Sequence, residues 1–231
     1  MGDKNSDGMG PLMEKMRFPP TGEGVFSTMP AVETTVDPND WRTGLPTLTG
    51  SLVTLRELRV SDAPALHEAL TTEQVSRFIS PRPPSVEAFE QFIVGMHRRR
   101  AAGEHVCFAV VPLNSDTAVG LFQVRSLEPR FATAEWGFAL ASDYWGTGVF
   151  VDAARLTLDF VFAAIGARRL EARAAVQNGR GTAALRKMGA VHECDLRRSF
   201  LRNGQYYDQG LWTILVEEWY EAKNWGTRVI H

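Results

Sequence analysis

The sequence predicts an α/β or α+β domain in which one β-sheet is covered by helices. Strand-like and helix-like segments follow one another from Leu48 onward, with no linker, internal repeat or low-complexity tract between them. A glycine turn at 146–148 leads into a long helix, and a long hairpin with the turn Asn203-Gly204 ends the domain. Strands and helices mixed in this way are typical of a sheet with helices packed on its faces.

The first half of the domain predicts a strand, two helices and three further strands. A strand at 52–58 comes first, and Ser61-Asp62 then caps a helix. Pro83-Pro84-Ser85 opens a second helix, which has one apolar face and ends in three arginines. The three strands that follow are expected at 105–111, 118–125 and 132–140.

The second half predicts two helices that alternate with strands. The long helix after the glycine turn has a single polar stripe, which indicates burial on most sides, and Gly166 ends it. The elements are a helix at about 149–165, a strand at 169–175, a short helix from Asn178 to Gly189, and hairpin strands at 191–202 and 205–216.

Composition excludes several classes of protein. The 231 residues are 44% hydrophobic and 23% charged, with a net charge of -2, which argues against a dedicated nucleic-acid binder. Cys107 and Cys194 are too few for a disulfide framework and are expected to be reduced core thiols. No apolar run approaches the roughly 18–20 residues that span a bilayer. We therefore expect a cytoplasmic protein with no nucleic-acid or membrane partner.

The chain before the first strand differs from the rest. Residues 1–46 carry scattered glycines and prolines without a regular period, yet they include apolar side chains such as Phe26 and Trp41, which favour docking. We expect an N-terminal arm at 1–46, partly disordered or docked, a domain at 47–222 and a C-terminal tail at 223–231.

The strongest chemical signal is the strand, turn and helix at 134–150. N–H groups in the first turn of a helix have no internal acceptor, and the helix dipole adds positive charge there. Gly146 and Gly148 lack the Cβ atoms that would keep a phosphate away. The turn is neither a P-loop nor a full Rossmann fingerprint. In isolation it is either a pyrophosphate site or a turn that merely closes tightly.

A second segment about thirty residues downstream adds a family resemblance. With the glycine turn, Asn178-Gly179-Arg180 and the Lys187-Met188-Gly189-Ala190 turn resemble the GNAT superfamily of acetyl-coenzyme A-dependent N-acetyltransferases. The hairpin at 202–215 resembles the RimJ/RimL branch, which acetylates N-termini of ribosomal proteins. The resemblance covers about residues 48–220. It implies a central, mixed, mostly antiparallel sheet with a splayed strand pair that holds the cofactor.

The resemblance also implies where acetyl-CoA binds, without a metal. The turn would hold the pyrophosphate, the preceding strand would hold the pantetheine, and Asn178 and Arg180 would add side-chain contacts. Asn178 is equally a helix N-cap and Arg180 equally a solvated arginine. Trp145 and Phe150 depart from the family pattern, which has Gln or Arg and Gly or Ala there. The predicted cofactor-binding residues are Phe138, Ala139, Leu140, Trp145, Gly146, Thr147, Gly148, Val149, Phe150, Asn178 and Arg180.

Glu135 is the predicted catalytic residue. It is the charged side chain of an otherwise apolar strand, and partial burial would suit it to accept a proton from the amine. The alternative is a carboxylate that only pairs with an arginine, in which case the base would be Glu193 or solvent.

The expected reaction is transfer of an acetyl group from acetyl-CoA to a primary amine, by direct attack in a ternary complex. The branch resemblance points to a protein N-terminal amine, with loops 71–84 and 198–210 shaping its pocket. A small-molecule amine, such as an aminoglycoside or polyamine, and a non-catalytic acyl-CoA-binding role stay open as alternatives. Homodimer formation is open as well.

Overall fold

The computed structural model describes residues 40–79 and 83–228. Its strands are β1 (Leu48–Thr49), β2 (Val53–Glu57), β3 (His105–Pro112), β4 (Gly120–Ser126), β5 (Thr133–Leu140), β6 (Arg169–Ala175), β7 (Val191–Arg202) and β8 (Gln205–Leu215). They form one eight-stranded sheet in the order β1-β2-β3-β4-β5-β6-β8-β7. Within it β5 and β6 are parallel and the other neighbours are antiparallel. This confirms the predicted mixed, mostly antiparallel sheet.

Helices connect the strands and cover the sheet. They are α1 (Ala63–Leu70), α2 (Glu73–Ser76), α3 (Val86–Ala101), α4 (Val149–Phe160), α5 (Gly179–Lys187) and α6 (Val216–Arg228). The sequence did not predict α2, which is too short to show a helical period, or α6. Because α6 runs past residue 222, the chain is still helical where the tail was expected to begin. Trp219 of α6 is buried against Phe162, which gives this helix a tertiary anchor.

Two hydrophobic cores lie on opposite faces of the sheet. On one face Phe108, Phe122 and Trp136 pack with α4. On the other face Cys107, with its strand neighbours, packs with α1 and α3. Burial raises the pKa of the Cys107 thiol. Cys194, expected in a core, is instead exposed on β7.

Trp41 belongs to the folded domain, although it lies within the predicted arm. It is 6% exposed and packs edge-on against Phe131, with ring centroids 5.5 Å apart. Residues 1–39 and the expected docking of Phe26 lie outside the described residues. We propose that the folded domain begins at or before Trp41, several residues ahead of the predicted boundary.

The parallel strands β5 and β6 separate along their length. They pair only through Thr133–Arg169, Ala134–Leu170 and Glu135–Glu171. Beyond Glu135, β5 stays paired to β4 up to Leu140, and β6 stays paired to β8. We call the resulting space between residues 136–140 and 172–175 the splay. It is the splayed strand pair that the resemblance implied.

No helix in the described part of the chain is long and apolar enough to span a membrane.

Candidate active site

The β5 edge of the splay presents main-chain groups that the described sheet does not use. The Ala141 N–H donates to the Val119 carbonyl at 2.8 Å, and alternate residues of a strand direct their main-chain groups to opposite edges. Ala139 therefore bonds towards β4, whereas Phe138 and Leu140 face the splay. An extended ligand can hydrogen-bond to these groups as an added strand would.

The glycine turn at the open end of the splay exposes further N–H groups. Gly146 and Gly148 adopt φ angles of 78° and 91°, a left-handed conformation that glycine adopts without steric cost. The first helical bond of α4 runs from Asp152 N–H to the Gly148 carbonyl, at 3.1 Å. The N–H groups of residues 149–151 thus have no intrahelical acceptor. The Thr147 hydroxyl donates to the Tyr144 carbonyl at 2.8 Å and accepts a long hydrogen bond of 3.5 Å from the Val149 N–H, which leaves the N–H groups of residues 150 and 151 as the open ones.

The first side chains of α4 point into the core and leave the turn open. The Phe150 ring centroid lies 4.7 Å from that of Phe138 and 5.7 Å from that of Phe122. Val149 is buried in the same cluster. The bulk of Phe150, a departure from the family pattern, is therefore taken up by packing, and these two residues offer the turn only their N–H groups.

The Trp145 ring stacks with the guanidinium group of Arg180 at the edge of the glycine turn. Its indole N–H donates to the Leu140 carbonyl at 2.9 Å, which occupies one acceptor position of that carbonyl and leaves the Leu140 N–H for the splay. Arg180 Cζ lies 4.1 Å from the centroid of the Trp145 ring, within cation–π distance. Because Trp145 directly precedes Gly146, the stack places a positive charge beside the glycine turn.

Asn178 caps α5 next to this stack. Its side-chain oxygen accepts a hydrogen bond from the Gly181 N–H at 2.9 Å, as the sequence predicted for an N-cap. A Cβ at position 181 would lie 2.5 Å from Asn178 Nδ2, so glycine there permits the close approach of the amide. The N-cap role uses the amide oxygen and leaves the NH₂ group as a donor.

Glu135 stands at the apex of the splay as the last β5 residue that pairs with β6. Its side chain is 12% exposed, with Oε2 at 2.8 Å from Arg125 Nη2 and 3.6 Å from Arg173 Nε. Gly137, two residues further on the same face, places no side chain between Glu135 and the splay. The carboxylate is thus near the predicted site of chemistry, but it shares its lone pairs with arginines.

Glu193 is unsuited to the role of base. Both of its oxygens bond to Arg169, at 2.8 and 2.7 Å, and one also accepts from the Thr213 hydroxyl. The hydrogen bonds from Arg169, then Thr213, lower the pKa of Glu193 to about 2. Since Arg169 pairs with Thr133, this acid lies at the paired end of β5 and β6.

Among residues 40–79 and 83–228, no three His, Cys, Asp or Glu side chains are grouped to hold a metal ion.

A cavity of about 720 Å³ lies between α2 with its following turn and the β7–β8 hairpin. The two loops expected to shape an acceptor pocket do meet here, and the residues that line the cavity from them are Glu73, Gln74, Arg77, Phe78, Phe200, Arg202, Asn203 and Tyr207. Arg202 holds the sides together by donating to the Ser76 and Ile79 carbonyls. Gln177 also lines the cavity, directly before Asn178. Sequence reasoning missed Gln177, because no pattern marks the residue between a strand end and a cap.

A parallel strand pair that splays beside a helix-terminal glycine turn defines a coenzyme A-dependent acetyltransferase fold. The family model of the acetyltransferase (GNAT) domain matches residues 53–191. The chain belongs to this family of N-acetyltransferases, whose members transfer an acetyl group from acetyl-CoA to an amine.

Individual relatives agree with this assignment. The "putative ribosomal N-acetyltransferase YdaF" of Bacillus subtilis is 25% identical over 171 residues, which cover 72% of the chain and 93% of that protein. RimJ of Mycobacterium smegmatis, solved with CoA-disulfide, shares the fold with a TM-score of 0.67 at 23% identity, over 74% of the chain and 88% of its own. The ribosomal-protein-S5-alanine acetyltransferase of Vibrio fischeri also shares it, with a TM-score of 0.67 at 20% identity, over 75% and 98%.

Proposed function

We propose that the chain acetylates the N-terminal amine of a protein, using acetyl-CoA in a ternary complex. The observation that carries this proposal is the position of Gln177, which lines the cavity, follows the β6 strand of the splay by two residues and directly precedes Asn178. The ribosomal acetyltransferases among the relatives support a protein N-terminus as acceptor.

The residues around the splay fit coenzyme A. The N–H groups of residues 150 and 151 bind the pyrophosphate at the positive end of α4, together with that of Val149 when it exchanges its long bond to Thr147, and the open space over Gly146 admits it. Arg180 adds a charge-assisted contact from its place on Trp145. The main-chain groups of Phe138 and Leu140 align the pantetheine and polarise the thioester carbonyl, and the Asn178 NH₂ group donates to it from the other side. Acetyl-CoA supplies the acetyl group and a thiolate leaving group.

Glu135 is the base that we propose. An N-terminal amine has a reference pKa of about 7.7–8.0 and is mostly protonated at neutral pH, so it must lose a proton before its nitrogen attacks. Glu135 accepts that proton directly or through a water at the apex of the splay. The new C–N bond then forms as the C–S bond breaks, and the thiolate takes up a proton from the amine or from solvent.

The charges of the cavity argue against a polycationic acceptor. Among the described residues that line it, Glu73 contributes one carboxylate, and Arg77 and Arg202 contribute two guanidinium groups. The net positive charge of the cavity lining would repel an aminoglycoside or a polyamine, which disfavours the binding of either. A peptide N-terminus carries a single ammonium group and can use the amides of Gln74 and Asn203 for its main chain.

Acetylation of a substrate panel tests the proposal. CoA release is measured with N-terminal peptides, N-terminally blocked lysine peptides, polyamines and aminoglycosides, and mass spectrometry locates the acetyl group. We expect turnover on the N-terminal peptides. Faster turnover of the polyamines or aminoglycosides would overturn the protein acceptor, and binding of acetyl-CoA without any turnover would restore the non-catalytic alternative.

A further inference from the structure

The cavity beside Gln177 holds an arginine, Arg77, that takes part in no ion pair in the described part of the chain. Arg77 is exposed at the end of α2. Its Cζ lies 5.5 Å from the centroid of the Phe78 ring, which supports the guanidinium from one side. A guanidinium held in this way binds carboxylates well, because its N–H donors form a planar fork.

The other charged groups of the cavity differ from Arg77 in their roles. Arg202 uses one nitrogen on the Ser76 and Ile79 carbonyls and thereby fixes the wall, while the rest of its guanidinium adds positive charge. Glu73 begins α2 one helical turn before Arg77, on the same wall. A carboxylate and two guanidinium groups suit a ligand that carries both an ammonium and a carboxylate group.

The position of Gln177 indicates which end of such a ligand faces the splay. Gln177 lines the cavity and directly precedes Asn178 at the open end of the splay, so the amine to be acetylated enters on this side. The residues that follow the amine then extend between α2 and the hairpin. A cavity of about 720 Å³ accommodates a short peptide segment.

We propose that the cavity selects acceptors with a carboxylate side chain in the first few residues after the amine, and that Arg77 binds this carboxylate. The substrate class is thus an acidic N-terminal segment. The inference rests on the function proposed above, which it makes specific.

Peptides that share one N-terminal residue and differ only at the next two positions provide the test. One carries acidic residues there, one the matching amides and one lysines. For the unmodified protein we expect kcat/KM for the acidic peptide to exceed that for the amide peptide by roughly 5- to 10-fold, the scale of one partly exposed charge-assisted contact. The lysine peptide should be the poorest substrate.

Substitutions at Arg77 separate charge recognition from a structural role. Arg77→Gln should abolish the preference, and Arg77→Glu should reverse it in favour of the lysine peptide. Arg186→Gln is the matched control, because Arg186 is also exposed and stacks on an indole, that of Trp212 at 5.1 Å, but does not line the cavity. The control should keep the full preference. Equal kcat/KM values for the three peptides, or a preference that Arg77→Glu leaves unchanged, would overturn the proposal.

Binding of the N-acetylated product peptides, measured by calorimetry, distinguishes this inference from the proposed function. Arg77-dependent binding of the acidic product without turnover of any peptide would support the cavity's selectivity and refute the acetylation of N-termini. Turnover of all peptides without preference would support the function and refute the selectivity.

Discussion

The two ends of the β5–β6 pair differ in what their main-chain groups can bind. At the paired end, main-chain groups of the two strands bond to each other, and ion pairs continue across the sheet face from Arg125 and Glu135 to Arg173. At the open end the strands diverge, and glycines, main-chain N–H groups and a stacked arginine surround the turn, while the Asp152 carboxylate of α4 accepts from the Leu52 and Val53 N–H groups.

The difference shows how one sheet can be held together at one end and bind a ligand at the other. Charged groups at the paired end form ion pairs with one another, so removing one partner would leave the other poorly compensated. Main-chain groups at the open end lack strand partners, and the nearby positive charge is suited to an anionic ligand. Substitutions at the paired end should therefore change stability or proton transfer, and substitutions at the open end should change cofactor binding.

Glu135→Gln is expected to have the largest effect on rate. It keeps the shape of the side chain and removes the proton acceptor, so the turnover number should fall by roughly 10²–10⁴ at neutral pH, with a smaller loss at high pH. Acetyl-CoA affinity, measured by calorimetry, should barely change. A lowered Tm with full turnover of the folded protein would instead make Glu135 a structural partner of Arg125.

Gly148→Asp should have the largest effect on cofactor binding. A carboxylate at the start of α4 would repel the pyrophosphate and cost several kcal/mol, about 100-fold or more in the Kd for acetyl-CoA. Gly148→Asn is the control, because Asn has nearly the same size and also tolerates a positive φ. Calorimetry should show a large loss for Asp and a much smaller loss for Asn; equal losses would mean that strain, rather than charge, is responsible.

His105, which pairs in register with Arg125 near the paired end, should make stability depend on pH. Burial lowers its pKa to about 4, with Arg99 and Arg125 adding to the effect and a hydrogen bond that the imidazole donates to Gln123 opposing it. The folded protein therefore resists protonation that the unfolded chain accepts below about pH 6.5. This stability is complete above pH 6.5 and falls by about 3 kcal/mol as the pH drops to 4.

Urea unfolding at several pH values measures this loss. The His105→Leu variant should lose about 3 kcal/mol less between pH 6.5 and pH 4 than the unmodified protein. Its acetyl-CoA affinity at neutral pH should be unchanged, since His105 does not face the splay. Parallel pH profiles for the two proteins would show that His105 does not titrate as its burial indicates.

Arg180→Gln should have the smallest effect of the four. Loss of one exposed guanidinium beside the turn should raise the Kd for acetyl-CoA by roughly 5- to 10-fold, and less at high salt. Arg186→Gln removes an equivalent charge stacked on Trp212 and should leave the Kd unchanged. The KM for S-acetyl-pantetheine, which lacks the phosphates, should be the same in all three proteins. A higher KM for that substrate in Arg180→Gln would mean that Arg180 acts on the splay itself.

Local patterns were enough to predict most of the elements. The bounds of β5, β6, α5 and the closing hairpin agree with their sequence patterns within a residue or two, because alternation, caps and turn residues act over short distances. The short helix α2 and the exposure of Cys194 were missed. Both depend on neighbours distant in sequence: Arg202 of the hairpin bonds to carbonyls at the end of α2, and no helix covers Cys194 in the described part of the chain.

For the site, sequence patterns established the glycine turn, the Asn178 cap and the family. These depend on residue types within a few positions of one another, so one stretch of chain contains the whole signal. Only tertiary structure decided that Arg180 rests on Trp145, that Phe150 turns into the core and that Glu135 meets Arg125. Each of these contacts depends on how elements pack, which no single segment encodes: Glu135 meets Arg125 across the paired strands β4 and β5, Phe150 meets Phe138 where α4 packs on the sheet, and Arg180 reaches Trp145 from the start of α5.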